Sequence, residues 1–433
     1  MQKLIQTVKA DQEAFSLKEL SGKQRVSFFL SAAFVVAMPV WLLIQPGSSV
    51  AFVLFLLSMV VIQKMKLPTW LKLVIAALDL VVVIPIVGQT SGTFARVATM
   101  IGIYAILSVG LNIVVGFTGL LNLGYAAFYA VGAYTYAIFA SSQANNFMPF
   151  GQFPLSGNWF WAFLLIGLVV SGFVGFLLGL PVLRLKGDYL AIVTLGFAEI
   201  IRLLFNNLSK PINITNGPMG ITPIQAPMLF NLKLSKPVDF YWIVLVLFLL
   251  TFLVVKNLQN SRIGRAWVAI REDELVARTM GVPVVRMKLL SFSIGAGLAG
   301  MMGVVFAAMQ SYVDPTSFTF MESIIILCMV ILGGSGNMKG VIIGALAVIV
   351  LQLQILKDVS NYLTSLATAG VLTLPTWLNP AKYERLIFGL ILVLMCIFRP
   401  NGISPEKRVL KLKQRLGLAP KGDLPAPGAK EGK

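Results

Sequence analysis

The chain has 433 residues, of which 57% are hydrophobic and 12% are charged, and its mean hydropathy is +0.85. Because so much apolar surface leaves too few polar groups to face water, this composition excludes a soluble globular domain. The formal net charge of +18 does not indicate nucleic-acid binding, since the basic residues lie between apolar runs, as is typical of membrane proteins. We therefore expect membrane lipid as a partner and no nucleic acid.

The sequence lacks the residues of the common catalytic and metal sites. It contains no histidine, which excludes His-ligated metals and Ser-His-Asp or Cys-His catalysis. A phosphate-binding loop of the form G-x-x-x-x-G-K-[ST] is also absent: the nearest stretch, GGSGNMKG at 333–340, has Met338 in place of the second glycine. We expect no catalytic residue, metal or cofactor in this chain, and no enzymatic activity.

Apolar segments long enough to cross about 30 Å of hydrocarbon recur along the chain. They lie at residues 26–44, 48–63, 71–88, 94–115, 119–140, 159–181, 189–206, 241–255, 289–309, 322–333, 340–356 and 386–398. We therefore predict an all-α polytopic membrane protein with about 10 to 12 transmembrane helices. Three of these segments, 48–63, 241–255 and 322–333, are short, so each can be tilted into its neighbours or re-entrant.

The N-terminal residues 1–25 are polar and precede an apolar run longer than a signal-peptide core, so we expect them to be retained in the cytoplasm. Alternation from that start places the basic loops on the cytoplasmic side. Their basic positions are Lys64, Lys66, Lys72, Arg184, Lys186, the stretch 256–288, Lys339 and the C-terminal tail. The loops 141–158 and 310–321, placed outside, contain no Lys or Arg, although the loop 207–239 has three lysines. Both termini are predicted to be cytoplasmic.

The stretch GLNIVVGFTGLLNLGYAAF at 110–128 interrupts an apolar run with polar residues among glycines. Asn112, Thr118 and Asn122 stand where a helix is expected to unwind beside a cavity and expose backbone groups to a polar solute. We predict that they line a translocation pathway. Hydrogen bonding and packing between helices is the alternative.

A second candidate for the pathway is the pair of charged residues in the segment 189–206. Glu199 and Arg202 are three residues apart, so they share one helix face, and Glu199 falls near the middle of its span. They either line a polar pathway or form a self-neutralising pair in which Arg202 reaches towards the membrane surface.

Small residues recur four apart in two of the predicted spans. Ser171, Gly175 and Gly179 form one such row, and Ala299, Gly303 and Ala307 form another. In lipid, this spacing lets helix backbones approach closely, and it predicts a tightly packed bundle.

The stretch RIGRAWVAIREDELVARTMGV at 262–282 is unusually polar for this chain. Charged residues of both signs occupy Arg262, Arg265, Arg271, Glu272, Asp273, Glu274 and Arg278. Apolar residues recur at spacings of three and four at Ile263, Ala266, Trp267, Ile270, Ala277 and Met280. We predict one amphipathic helix from about Gly264 to Gly281, stopped by Pro283. The acidic residues favour a protein partner at the cytoplasmic face over simple anchoring on anionic lipid.

The C-terminal tail, residues 404–433, is basic and contains several Pro and Gly. We expect a cytoplasmic segment that touches anionic lipid or a partner, or one that serves only as a solvated topology anchor.

Several of these stretches resemble one family of transporters. GRAWVAIREDELVARTMGV is similar to the cytoplasmic coupling loop of branched-chain amino-acid ATP-binding cassette (ABC) importer permeases. Further motifs occur in the family's order: GLNIVVGFTGLLNLGYAAFYAVGAY at 110–134, LPVLRLKGDYLAIVTLGFAEIIR at 180–202, TNGPMGI at 215–221, DPTSFTFMESIIILCMVILGGSGN at 314–337 and FRPNGI at 398–403. The resemblance covers residues 94–403, and residues 1–93 are similar only to the extra leading spans of the longer of the family's two permease subunits.

The resemblance implies a function and a set of partners. It implies a permease subunit in a bacterial inner membrane that translocates leucine, isoleucine and valine delivered by a periplasmic binding protein. A second, related permease subunit and two ATP-binding subunits are the implied partners, and ATP is used by those subunits. The chain then divides into a cytoplasmic segment 1–25, additional spans 26–93, a permease core 94–403 and the tail 404–433.

The resemblance also implies which residues receive force from the ATP-binding subunits. The general importer loop has Glu-Ala-Ala, three further residues and then Gly; Ala277 and Gly281 keep this spacing, whereas Leu275 and Val276 depart from it. We predict a coupling surface formed by Arg265, Trp267, Arg271, Glu272, Glu274, Ala277 and Gly281.

Two other functions stay open at this point. Related permeases for urea or amides share much of the motif pattern, although Leu121 and Tyr125 favour the branched-chain group. An ion-coupled secondary transporter is the alternative from another class, suggested by the number of spans and by the pair Glu199 and Arg202.

Overall fold

A computed structural model describes residues 22–45, 47–64, 69–148, 153–182, 188–230 and 232–368, with isolated positions from 386 to 403. The N-terminal residues 1–21, the basic positions Arg184 and Lys186, and the tail 404–433 lie outside the described residues. Of the span predicted at 386–398, positions 387, 388, 391, 392, 395 and 396 lie outside the described residues as well.

The described residues are almost entirely helical. The helices are α1 (Gly22–Ile44), α2 (Ser49–Lys64), α3 (Thr69–Leu78), α4 (Ile84–Thr90), α5 (Gly92–Asn112), α6 (Tyr125–Phe139), α7 (Phe160–Val182), α8 (Asp188–Asn207), α9 (Pro237–Asn260), α10 (Arg262–Glu272), α11 (Glu274–Thr279), α12 (Val284–Gln310), α13 (Phe320–Gly333), α14 (Met338–Val350) and α15 (Leu356–Thr368). Wider π-helical turns at Asp79–Val83, Ile113–Phe117 and Leu351–Ile355 extend or join some of them. A short antiparallel hairpin pairs β1 (Met228–Leu229) with β2 (Leu232–Lys233).

Within the described residues, six helical stretches are long and apolar enough to cross a membrane. They are Gly92–Phe117, Gly157–Val182, Tyr189–Asn207, Pro237–Asn260, Val284–Gln310 and Met338–Ser365. Shorter apolar helices occur at Ala33–Ile44, Ser49–Ile62, Val74–Thr90 and Phe320–Gly333. The prediction of an all-α polytopic membrane protein is confirmed. One predicted boundary is wrong: the segment 119–140 becomes helical only at Tyr125.

The contacts divide the chain into two compact units. Unit 1 comprises residues 1–104, 226–250 and 346–385, and unit 2 comprises 105–225, 251–345 and 386–433. The boundaries predicted from the sequence at residues 25, 93 and 403 stay predictions.

Unit 1 is held by apolar contacts between its helices. The rings of Phe52 in α2 and Phe94 in α5 stack at 4.5 Å. The hydroxyl of Tyr241 in α9 donates to the carbonyl of Leu80 at 2.7 Å, and this carbonyl belongs to the π-helical turn that follows α3. A widened turn leaves backbone groups without their usual partners, so the Tyr241 hydroxyl stabilises this irregularity.

Unit 2 is built around α12, which packs along α6 and α7 through small residues. A Cβ atom added at Gly132 of α6 would lie 2.0 Å from the carbonyl oxygen of Gly300 in α12. One added at Gly303 would lie 2.2 Å from the carbonyl oxygen of Tyr129. The Ser171 hydroxyl of α7 donates to the Phe128 carbonyl of α6 at 3.1 Å, which joins these two helices to each other. The rows of small residues thus form the close packing that the sequence predicted.

Backbone contacts at one end of unit 2 join three loops. Ile221 and Val313 pair in an antiparallel bridge, and the Gln225 N–H donates to the Ala140 carbonyl at 2.9 Å. We call residues 140–148, 153–160, 208–225 and 311–319 the loop end. The opposite end, residues 113–124, 261–288 and 334–339, carries most of the charge and is called the charged end.

We expect Gly300→Ala to lower the thermal unfolding midpoint of the purified protein in detergent. A Cβ atom there would lie 2.1 Å from the Ser171 hydroxyl oxygen and 2.4 Å from the Gly167 carbonyl oxygen, and overpacking of this kind costs about 1–3 kcal/mol. The matched control is Gly196→Ala in α8, since no neighbouring atom lies within 4 Å of that Cβ position. Equal midpoints for the two variants would contradict the packing described here.

Candidate coupling and pathway site

The first element of the site is an interruption between α5 and α6 at the charged end. The π-helical turn Ile113–Phe117 ends α5, and residues 118–124 form no helix. Gly119 has a φ of +71°, which side chains other than glycine rarely adopt. At 1.5 Å per residue, α6 covers only about 22 Å of the roughly 30 Å of hydrocarbon. The segment 118–124 before α6 is unwound, as the glycines and asparagines predicted.

Neighbouring helices accept the backbone N–H groups that the interruption leaves free. The Leu123 N–H donates to the Thr194 hydroxyl of α8 at 3.1 Å, and the Ala126 N–H donates to the Ser323 hydroxyl of α13 at 2.9 Å. The Tyr125 hydroxyl fixes the same turn by donating to the Gly295 carbonyl of α12 at 3.0 Å. Because unpaired N–H groups are costly in hydrocarbon, these contacts make the interruption tolerable.

Asn112, Thr118 and Asn122 are all buried at this interruption. Asn112 Oδ1 accepts from the Gly336 N–H at 2.9 Å, and Asn122 Oδ1 accepts from the Gly124 N–H at 3.0 Å. The Thr118 hydroxyl donates to the Val114 carbonyl at 2.6 Å. These bonds satisfy backbone groups, which favours the packing alternative. Their role in lining a pathway stays a prediction.

Glu199 and Arg202 pair with each other on α8. Arg202 Nη2 and Glu199 Oε2 are 2.8 Å apart, and the side chains are 29% and 35% exposed, respectively. This geometry favours the self-neutralising alternative. Among the described residues, no side-chain hydrogen bond joins this pair to the interruption, and its place in a pathway stays a prediction.

The second element is the polar stretch 262–280, and here the prediction of a single helix is wrong. The stretch forms two helices, α10 and α11, which meet at Asp273 in an extended conformation. The Asp273 carboxylate accepts from the N–H groups of Leu275 at 2.8 Å and Val276 at 3.0 Å. Aspartate competes for backbone N–H groups in this way and starts a new helix. The predicted end is correct, since Gly281 has a φ of +84°.

The two helices turn part of the predicted coupling set inwards. Trp267 and Ala277 are buried, and the Trp267 Nε1–H donates to the Met287 carbonyl at 2.8 Å. These residues therefore anchor the stretch instead of forming its exposed surface. Met280, predicted on the apolar face, is 79% exposed, because α11 ends before it.

Arg271 and Glu274 also make contacts inside unit 2. Arg271 Nη1 donates to the carbonyl of Gly116 in the interruption. Glu274 pairs with Lys288 at 2.7 Å and with Arg278 at 3.5 Å. Arg265, Glu272 and Gly281 are exposed, so of the predicted coupling residues these three are available to a partner.

Sequence reasoning missed Lys288, Thr194 and Ser323. Lys288 is buried in the first turns of α12, and its charge directly before an apolar run was the signal that could have revealed it. Thr194 and Ser323 carried no such signal, because isolated hydroxyl residues are common in transmembrane helices and only the fold brings them to the interruption.

The fold and the site define a multi-pass α-helical membrane protein in which a charged helix pair is anchored on an interrupted span. A family model described as the permease component of the branched-chain amino acid transport system matches residues 93–396. The chain belongs to this family, which confirms the resemblance seen in the sequence motifs.

Individual relatives agree with this assignment. The chain is 41% identical to the high-affinity branched-chain amino acid transport system permease protein LivM of Salmonella typhimurium, over 73% of this chain and 71% of that protein. It is 28% identical to the probable permease protein LivM of Methanocaldococcus jannaschii, over 71% and 92%. The permease protein LivH of Salmonella typhimurium is 23% identical, over 71% and 93%. These relatives are transport permeases, and no solved structure matches the chain significantly.

We expect Glu274→Gln to destabilise the protein by about 1–3 kcal/mol, because it leaves the buried Lys288 ammonium without its carboxylate partner. The value is below that of a fully buried pair, since Glu274 is partly exposed and water screens it. The measurement is thermal unfolding in detergent, with the exposed Glu272→Gln as the matched control.

A second variant separates loss of the ion pair from loss of a surface charge. Adding Lys288→Met to Glu274→Gln removes the unpaired ammonium, so the double variant should regain part of the lost stability. If Glu274→Gln and Glu272→Gln behave alike, the ion pair does not stabilise the charged end.

Proposed function

We propose that this chain is a permease subunit of an ABC importer that translocates leucine, isoleucine and valine delivered by a periplasmic solute-binding protein. Membership of the branched-chain amino acid permease family and similarity to LivM proteins support the substrate class. Similarity to LivH as well supports pairing with a second, related permease subunit.

The observation that carries the proposal is the outer face of α10 and α11. Leu275 is 71% exposed and Val276 is 55% exposed, beside the charged Glu272, Asp273 and Arg278. Exposed apolar side chains ringed by charges of both signs are typical of a protein interface. The acidic residues oppose burial of this face in anionic lipid. We assign it to contact with one of two ATP-binding subunits.

The contact surface proposed from the structure differs in part from the coupling surface predicted from the sequence. It retains Arg265, Glu272 and Gly281 and adds Leu275, Val276 and Met280. These three depart from the general importer loop or lie outside its motif, so the motif gave no signal for them. ATP is bound by the partner subunits in this proposal, and none of the cofactor chemistry is assigned to this chain.

The distribution of charge supports an orientation in a bacterial inner membrane. The charged end holds Arg262, Arg265, Arg271, Arg278, Arg286, Lys288 and Lys339. In the described residues of the loop end, Lys210 is the only basic residue. By the positive-inside rule, the charged end faces the cytoplasm and the loop end faces the periplasm, where the binding protein delivers its cargo. That both termini are cytoplasmic rests on the alternation of basic loops in the sequence and is part of the proposal.

We expect Met280→Asp to reduce capture of the ATP-binding subunits when the importer is purified through this chain, because it places a carboxylate in the apolar part of the interface. Met219→Asp at the loop end is the matched control, since Met219 is 78% exposed and Met280 is 79% exposed. Equal capture by both variants, or no capture by the unmodified chain, would contradict the proposed coupling surface.

For the substrate, we expect ATP-dependent uptake of labelled leucine into liposomes that contain both permeases and the ATP-binding subunits, with the binding protein outside. Unlabelled isoleucine and valine should compete, because a pocket for one branched apolar side chain discriminates weakly against another. Competition by urea or acetamide alone would indicate an amide permease. Uptake by this chain alone, driven by an ion gradient, would indicate a secondary transporter.

A further inference from the structure

We infer that Arg271 is a positioning residue that carries the movement of α10 and α11 into the interruption between α5 and α6. The inference rests on the proposed function and goes beyond it, since it names the part of the permease that receives the force. The arrangement makes Arg271 part of a link inside unit 2 and not part of the surface that meets the ATP-binding subunit.

The link begins at the Gly116 carbonyl, which lacks a hydrogen-bond donor within its own helix. Gly116 lies in the π-helical turn Ile113–Phe117 that ends α5, where carbonyl groups have no N–H partner further along the helix. Arg271 Nη1 donates to this carbonyl. A charged guanidinium forms a stronger hydrogen bond to a carbonyl than a neutral donor does, and its planar geometry fixes the direction of the bond.

The interruption fits closely around the Arg271 side chain. A Cβ atom added at Gly119 would lie 3.0 Å from Arg271 Cγ, so glycine at this position lets the backbone lie against the arginine stem. The φ of +71° at Gly119 also requires glycine. Two residues of the interruption, Gly116 and Gly119, therefore contact the Arg271 side chain of α10.

An aromatic contact also holds α10 against the interruption. The rings of Trp267 in α10 and Phe117 stack with their centroids 6.5 Å apart and an angle of 17° between the planes. Since the Trp267 indole also bonds to Met287 at the start of α12, α10 is attached to the interruption and to α12 at once. A displacement of α10 is thus transmitted to the interruption through direct side-chain contacts.

The opposite side of the interruption faces a second non-helical segment. Asn112 Oδ1 accepts from the Gly336 N–H, and a Cβ atom added at Gly116 would lie 2.5 Å from that nitrogen. The loop 334–337 joins α13 to α14, and α13 covers only about 21 Å. The interruption before α6 and the loop after α13 therefore lie side by side. Displacement of Gly116 by Arg271 changes the contact between these two segments at the cytoplasmic side.

The test compares Arg271→Ala and Arg271→Lys in the complete importer in liposomes, with ATP hydrolysis and leucine uptake measured in parallel. For Arg271→Ala we expect normal capture of the ATP-binding subunits and continued hydrolysis, but about tenfold less leucine taken up per ATP, the size expected for the loss of one charge-assisted hydrogen bond. Lysine keeps the charge and a donor, so Arg271→Lys should recover part of the ratio.

The matched control is Arg262→Ala, which removes an exposed arginine from the first position of α10, about 13 Å along the helix from Arg271. Its ratio of uptake to hydrolysis should stay unchanged. Gly119→Ala tests the link from the other side. It strains the backbone at Gly119 and presses on the Arg271 stem without changing the sequence of α10 or α11, and it should lower the same ratio.

Two results would overturn the inference. One is an unchanged ratio in Arg271→Ala or, if that variant fails to assemble, in both Arg271→Lys and Gly119→Ala. The other is an equal fall in hydrolysis and uptake in every assembled variant, which indicates a merely structural role. Failure of the proposed function is seen separately, because the unmodified importer would then show no ATP-dependent leucine uptake.

Discussion

A chain that leaves helical geometry inside a membrane must find a hydrogen-bond partner for each backbone group that it frees. The charged end of unit 2 is arranged around this constraint. The Thr194 and Ser323 hydroxyls accept the free N–H groups on one side of the interruption, and Arg271 donates to the free carbonyl of Gly116 on the other. The donor for that carbonyl comes from the polar stretch, so the interruption and the polar stretch share one hydrogen bond.

This sharing gives the charges of the polar stretch two separate tasks. Arg271 and Glu274 make contacts inside unit 2, where Arg271 bonds a backbone carbonyl and Glu274 pairs with the buried Lys288 of α12. Arg265 and Glu272 stay exposed. A stretch that had only to lie on a lipid surface would need one apolar face and one basic face. The inward charges explain why this stretch carries so many of them in such an apolar chain.

Sequence patterns predicted the helical class, the unwinding near Asn122 and the helix end at Gly281, because each depends on local chemistry. They did not predict that the polar stretch breaks at Asp273, since three adjacent acidic residues fit a continuous helix equally well until the cap is seen. Nor could they show that Trp267 turns inwards. Periodicity assigns a residue to a face of a helix, whereas the neighbours that cover this face come from segments distant in the sequence.

The charges of Glu199 and Arg202 illustrate a further limit. Their spacing correctly indicated that they share a helix face, and the structure pairs them at 2.8 Å. Whether such a pair serves transport depends on what lies opposite, in a partner subunit or in lipid, and no pattern within one chain encodes this. The same holds for Asn112, whose Oδ1 bonds Gly336 more than 200 positions away.

The central claim is that the polar helices and the interruption move as one body. The most direct measurement is pulsed electron–electron double resonance on the assembled importer. It gives the distance between spin labels at the exposed positions Leu121 and Ala269 before and after ATP is bound. We predict a distance that stays constant to within about 2 Å, while the distance from Leu121 to a label at Thr222 of the loop end changes. A change of several ångströms between Leu121 and Ala269 on ATP binding would contradict the claim.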